Sequence, residues 1–509
     1  MRYNKLLYFF ALLLTLPVCG FGQKVPVAPS MLLDIGGSDA NVYASDMKSD
    51  AQGNTYVTGN FSDQYNTLDF DPSAGVTTLR LNFSGFIAKY SVAGALVWVK
   101  PFKGVGNGLD IDRNGDITVI GQRSSNKALT NVNLYLDAFI LHLDNSGNVL
   151  WEKLIESGSK DIPVDPNRLI IYQDVQTGYN VASDDAGNLV AVYTFGGSPD
   201  VEGIFPAKGT VDGLVVKYDT NGNVIWKFNL GATGPFSNSV LETLVDKDNN
   251  IIVSGYTSGM VNYNPLGTPF NVTADNAMFL AKYSSAGILQ WIKIINTNTT
   301  RNNVRLALDG QDNIYINGSF NYQIDLGVSP TLTAKGFQDI FIAKYSSGGN
   351  LLYHKSIGAS GATMLNAGMA TGLDNSLYLT GNFTGKADVD PSPSVSELNS
   401  DGTIAMLLAN YDENGNYQWA FRIEGIVAPS TFINLDFRGD FLKYGFQDVT
   451  VNRSKEIVVS GAFQSTVNFN GTGCGVNSMT AKNMAEPQKW LCRYVYCTLH
   501  AYNRKTDYE

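Results

Sequence analysis

The chain has 509 residues and a formal net charge of −10, with 44% hydrophobic and only 16% charged residues. This is the composition of a folded, soluble protein, and its negative surface, offset by no basic cluster, argues against nucleic acid and anionic lipid as partners. The 51 Gly residues, together with short Val/Ile/Thr/Tyr runs broken by turn residues, favour many strands over long amphipathic helices.

The N-terminus reads as an export signal. Arg2 and Lys5 precede an apolar run from Leu6 to Val18, and small residues at Gly20 and Gly22 precede Gln23. The run is shorter than the roughly 20 residues needed to span a bilayer, so cleavage after Gly22 is expected, and residues 1–22 are assigned to a signal peptide. A lipoprotein reading at Cys19 is the alternative, disfavoured by Pro17 and Val18 just before it. Removing these residues takes the charge to about −12. No later segment is apolar enough to cross a membrane.

From residue 40 onward two patterns alternate. The first is a turn followed by a strand ending in Gly: Asp50-Ala51-Gln52-Gly53-Asn54, then Tyr56-Val57-Thr58-Gly59. It returns at Asp112, Asp184, Asp246, Asp309, Leu373 and Asn452, mostly about 62 residues apart. The Asp side chain can bond its own turn, and Gly or Asn takes the φ > 0 position that tight hairpins require. The second pattern is Phe86-Ile87-Ala88-Lys89-Tyr90, a turn at Gly94, then Leu96-Val97-Trp98-Val99-Lys100. Its aromatic position holds Trp151, Trp226, Trp291, Tyr353 and Trp419 in the next copies, so five of the six tryptophans share one repeat position. A recurring Trp marks a recurring slot between packed sheets. Each unit reads as four strands, a to d; such a sheet buries both faces only when stacked against others.

These units resemble the bacterial β-propeller repeat often called the seven-bladed repeat, over residues of about 40 to 470. The resemblance implies an all-β, seven-bladed propeller of four-stranded antiparallel blades in an exported, cell-surface type of protein, and it implies no particular reaction. The propeller is assigned to residues 23–480. Ser30–Gly37 looks like a d strand without preceding a, b and c strands, so it is expected to complete the last blade, whose degraded c strand is placed at Trp490–Tyr496. Residues 481–509 depart from the pattern as a divergent or truncated tail. Cys474, Cys492 and Cys497 crowd near it; an oxidising compartment permits one disulfide among them, but the number is odd and the other strands carry none, so the fold is not a disulfide scaffold.

Short a–b and c–d turns fall on one face of such a ring, and long b–c loops and d–a crossovers on the other. The long stretches are Ser62–Arg80, Gly196–Asp212, Asn321–Gln338 and Gly385–Thr403, with crossover insertions at Ile155–Tyr179 and Glu424–Phe446. Ligand binding is therefore expected on the long-loop face and the axial opening there. Two of these loops echo each other: Leu68-Asp69-Phe70-Asp71-Pro72-Ser73 and Ala387-Asp388-Val389-Asp390-Pro391-Ser392, with Val164-Asp165-Pro166 a partial third. Asp69/Asp71 and Asp388/Asp390 offer oxygens for Ca²⁺, but turn capping by Asp with stiffening by Pro is the preferred reading. The Asp144, Asp219 and Asp412 turns lack a distal Glu and read as plain hairpins.

Catalytic inventory is thin. His142 is expected to replace the usual Ala or Val of strand c, His354 follows the aromatic slot, and His500 lies in the tail. No zinc, α/β-hydrolase, thiol-redox or nucleotide-phosphate motif occurs. No catalytic, cofactor or metal residue is assigned. Among enzymes only a carboxylate-dependent glycan hydrolase or lyase survives, with strand-a acids such as Asp46, Asp110 and Glu242 as positional candidates. The expected role is an extracellular binding or scaffold module, monomeric, recognising a glycan or protein; a calcium-stabilised structural propeller is the third reading.

Overall fold

The computed structural model describes residues 29–35, 40–63, 68–73, 75–79, 84–124, 136–156, 176–196, 206–297, 304–358, 361, 363–423, 445–453, 455–463, 466–468, 478–480 and 493–500. Every regular element among them is a β-strand. Blade I is Ala40–Ser49, Thr55–Asp63, Gly85–Tyr90 and Leu96–Phe102, lettered a to d in that order. Blade II is Val105–Ile111, Ile117–Ser124, Leu136–Leu143 and Val149–Ile155; blade III is Gln176–Ser183, Leu189–Phe195, Asp212–Tyr218 and Val224–Leu230. Blade IV is Ser239–Val245, Ile251–Asn262, Asn271–Tyr283 and Leu289–Thr297; blade V is Val304–Leu308, Ile314–Phe320, Asp339–Tyr345 and Leu351–Ile357. Blade VI is Thr363–Thr371, Leu377–Asp388, Glu397–Tyr411 and Tyr417–Ile423. All neighbours pair antiparallel.

Six blades rather than seven are therefore built from consecutive strands. The remaining four-stranded sheet is composite: Gly445–Val451, Glu456–Phe463, Arg493–His500 and, on its outer side, Pro29–Ile35. Its third strand, expected at Trp490–Tyr496, lies at Arg493–His500 and includes Cys497. The composite sheet stands between blade VI and blade I, because Gly445–Val451 packs on strand a of both. Each other strand a likewise packs on the strand a of the next blade, so the innermost strands surround an axis in chain order. This is a β-propeller.

The short-turn side is held by one repeated device. In the a–b turns, Asp50, Asp112, Asp184, Asp246 and Asp309 each accept two backbone N–H bonds on Oδ1, from the residues two and four further on. The positive-φ corner is glycine at Gly53 (+84°) and Asn at Asn249 (+62°). Behind three of these turns the strand-c lysines Lys217, Lys282 and Lys344, nearly fully buried, form ion pairs of 2.8, 2.7 and 3.0 Å with Asp184, Asp246 and Asp309. Burial alone would raise these carboxyl pKa values, but the lysine and asparagine partners override it and hold them below the usual range.

The indoles occupy the expected slot. Trp98, Trp151, Trp226 and Trp291 each donate Nε1–H to a backbone carbonyl in the c–d turn of the next blade, at 3.0–3.3 Å. Lys217, Lys282 and Lys344 likewise reach the c–d turn of the next blade, at Ser285, Ser347 and Glu413. Each turn glycine sits against the preceding blade's ring: a Cβ at Gly222 would lie 2.9 Å from Trp151. His142 departs from expectation. It pairs across from Trp151 as Lys89 does from Trp98, so it replaces the lysine, not an Ala or Val. Burial lowers its pKa, and its ring lies 5.0 Å from the indole.

The long b–c segments also depart from expectation. Rather than projecting as free loops, several turn back and bury alternate residues between blades: Leu68 and Phe70, Val261 and Tyr263, Ile324 and Leu326, Ala387 and Val389. Gln323–Asp325 pairs with strand d of blade IV, and Asp388 bridges to Gly358 after strand d of blade V. Between the buried residues, Asp69 and Asp388 use Oδ1 to accept two backbone N–H bonds each, from Asp71 and Thr77 and from Asp390 and Ser396. Asn262 does the same for Asn264 and Phe270. A neutral amide thus performs the task of the two carboxylates, which is what turn capping requires. Asp144, Asp219 and Asp412 accept bonds on both oxygens within their hairpins.

Candidate functional site

Strand a is the edge strand of each blade and faces the axis, where its free backbone groups need partners from elsewhere. Four residues before each a–b turn, one position per strand comes to the same register: Asp46, Gly108, Asn180, Glu242, Arg305, Gly368 and Asp448. A β-bulge precedes it in blades I to IV and in the composite sheet, re-aiming the side chain that follows. The two glycines stand where neighbouring strands come closest; a Cβ at Gly108 would lie 2.6 Å from the Tyr179 carbonyl, and one at Gly368 2.7 Å from Asp448 Cα.

The charged members form a network around the axis. Glu242 accepts from Arg305 Nη1 at 2.7 Å and from Asn180 Nδ2 at 3.1 Å. Asp46 pairs with Lys48 Nζ at 3.0 Å, and its Oδ2 accepts Leu109 N–H at 2.7 Å. Asp448 Oδ2 accepts Met47 N–H at 3.1 Å, and Asp110 Oδ2 accepts Ser183 N–H at 2.7 Å. Arg305 Nε donates to the Ala367 carbonyl at 2.8 Å. Three carboxylates thus reach forward to the next strand a in chain order, and the composite sheet reaches forward to blade I. The side chains of Lys48 and Arg305 are 40% and 30% exposed although both lie on innermost strands, so their exposure is to the axial space.

Electrostatics follow from this crowding. Burial and then the charge of the Asp46 carboxyl raise the Asp448 pKa to about 7 against the pull of Lys48 and Arg305. Burial raises Glu242 and Asp110 as well, opposed by Arg305 and by the Ser183 bond respectively. Lys48 and Arg305 are held charged by their carboxylates, which outweigh the burial that disfavours a cation.

The structure brings all three positional candidates, Asp46, Asp110 and Glu242, into this network. Asp448, Lys48, Arg305 and Asn180 escaped sequence reasoning, although counting back from the turn residues would have found all but Lys48. His354 lies on blade V with Nε2 3.2 Å from the Pro330 carbonyl, away from the axis. Val164–Pro166, Cys474 and Cys492 lie outside the described residues. Among the described residues no group of three or more His, Cys, Asp or Glu is arranged to hold a metal ion, and no helix is long and apolar enough to cross a membrane.

No family model matches the chain. Over 185 residues, 33% of its length, it is 30% identical to an uncharacterized WD repeat-containing protein of Acanthamoeba polyphaga mimivirus, of which it spans only 13%. The likeness is one of repeats. Similar solved structures include a streptogramin B lyase (TM-score 0.41, 8% identity, 92% of this chain and 98% of that one). An ulvan lyase, a polysaccharide lyase, gives a TM-score of 0.37 at 11% identity over 84% of this chain and 93% of its own. A Bacteroides caccae protein of unknown function gives 0.32 at 10% identity over 66% and 89%. The propeller assignment rests on the sheet order and the circle of innermost strands.

Proposed function

We propose that this protein is an exported propeller of the bacterial repeat type its motifs resemble, serving as an extracellular binding or scaffold module. In this reading the composite sheet acts as a seventh blade that completes the ring. The observation that carries it is the engagement of the axial carboxylates: Asp46, Asp110 and Asp448 each accept a backbone N–H from the next innermost strand, and Glu242 is held by Arg305 and Asn180. Acids committed in this way are ties between blades. The ligand face is the side of the b–c segments and d–a crossovers, although fewer of its loops are free than their lengths suggest. The test is a glycan array run beside a hydrolase and lyase screen on the exported chain. Binding without turnover is expected; turnover lost in Asp46→Asn or Glu242→Gln, both still folded, would overturn the reading.

The second reading, a carboxylate-dependent glycan hydrolase or lyase, draws on one observation: the buried Asp448 carboxyl, with its pKa raised to about 7, beside two cations that open to the axial space. For hydrolysis the geometry is against it. Asp46, Asp110 and Asp448 each accept a backbone N–H of the neighbouring innermost strand, so they are engaged as ties rather than set apart to flank a scissile bond.

A further inference from the structure

A cleft of about 310 Å³ opens between blades I and II on the side of the b–c segments. It lies where the chain passes from strand d to the next strand a by the two residues Lys103 and Gly104 alone. Gly104 adopts φ +112° and passes so close to blade II that a Cβ there would lie 2.4 Å from the Gln122 carbonyl, so this narrow floor requires glycine. Ser84 Oγ donates to the Gly104 carbonyl at 2.9 Å and ties the opposite wall to it.

The polar side chains that line the cleft are mainly donors. Lys103 is exposed on one wall, and Arg123 stands on the other. Glu152 grips Nη1 of Arg123 at 2.9 Å, and the arginine side chain is only 17% exposed, so its guanidinium is fixed in place. Gln122 borders the cleft through its backbone, since its side chain turns to blade III, where Oε1 accepts from Thr177 Oγ1 at 2.6 Å. Ser124 adds a hydroxyl at the rim. Lys103 and Arg123, the arginine paired with Glu152, bring two cations to this cleft on a chain whose 46 acids outnumber its 36 bases.

We infer that this cleft binds the anionic group, carboxylate or sulfate, of an acidic polysaccharide. Arg presents paired donors suited to such oxygens, and Lys supplies a mobile point charge. The volume lies at the lower end of small-ligand sites, which suits one charged sugar residue better than a flat protein surface. The inference rests on the binding-module reading and names the ligand class for it.

The test is gel retardation of the mature chain by dextran sulfate, polygalacturonate, polyglutamate and neutral dextran, with melting curves for every variant. Retardation by dextran sulfate or polygalacturonate but not by dextran is expected, weakening as salt rises. Lys103→Glu, at an exposed site, should raise the apparent Kd by about tenfold or more, equivalent to about 1.4 kcal/mol, with an unchanged Tm. Arg123→Gln should do the same, and its melting curve separates lost binding from lost packing against Glu152. Retardation equal in wild type and Lys103→Glu overturns the site. Preference for polyglutamate, or binding of dextran alone, overturns the ligand class while leaving a binding module standing. No retardation together with a blank glycan array overturns the module reading as well.

Discussion

At Asp448 burial and a second carboxyl raise the pKa from its ordinary value to about 7. The folded protein therefore holds a proton that the unfolded chain releases near the ordinary Asp value. The associated stability is complete below that value and declines as pH rises through about 7. The turn carboxyls Asp184, Asp246 and Asp309 have depressed pKa values and act oppositely, losing their contribution as pH falls through their folded values. Thermal melts should accordingly show a Tm that drops by several degrees from about pH 5.5 to about pH 8, and Asp448→Asn should flatten that limb while leaving the acid limb intact. A pH-independent Tm in the wild type over this range would refute the raised Asp448 pKa. Much of this layer was legible in the sequence, since the seven positions stand four residues before each turn. Their meeting was not, because in five of the seven sheets a bulge just before the residue decides which way its side chain faces, and neither the bulges nor the glycine gaps at Gly108 and Gly368 follow a local motif.

Trp151 and Gly222 show how two elements of different blades depend on one contact. The indole lies under the c–d turn and donates to Thr220, while the glycine at φ +80° leaves room for the ring. Trp151→Ala should destabilise the protein by about 3 kcal/mol, and Gly222→Ala by about 1 to 2 kcal/mol through both strain and contact, measured by urea unfolding. A loss for Gly222→Ala as small as that of an ordinary surface substitution would sink the packing account. The wedge segments make a second prediction. Since Asn262 already performs the capping role, Asp69→Asn and Asp388→Asn should leave Tm nearly unchanged, Asp388→Ala should cost about 1 kcal/mol, and EDTA should shift nothing. A marked drop in Tm with EDTA would restore calcium. The strand periods and the Trp slot were readable because alternation and turn chemistry are local. The burial of Phe70 and Val389 was missed because a stretch rich in Asp, Pro and Ser looks like a free loop until the neighbouring blade supplies a partner.

The molecule as a whole owes its circular order to contacts between residues far apart in the chain. Asp448 bonds Met47 across 401 positions, and Pro29–Ile35 pairs with Arg493–His500. The out-of-phase start of the repeats announced that pairing in the sequence, whereas the place of the third strand, beyond a stretch with no recognisable repeat, was legible only approximately. Deleting the residues before Ala40 removes the outer strand of the composite sheet. The deletion should lower Tm by at least several degrees and increase proteolysis in that sheet before any other, measured by limited digestion and mass spectrometry. Uniform resistance in the truncated chain would mean that the outer strand contributes nothing to closure.

One consequence concerns time. A composite sheet that unites Pro29–Ile35 with Arg493–His500 cannot exist until the last of those residues has been synthesised, and bringing such distant partners together carries a larger entropic penalty than zipping any hairpin within a single blade. The six sequential blades can assemble early, one beside another, while the clasp forms late. Until then the chain remains an open, threadable arc; once the clasp is in place, every inner strand has a neighbour on both sides.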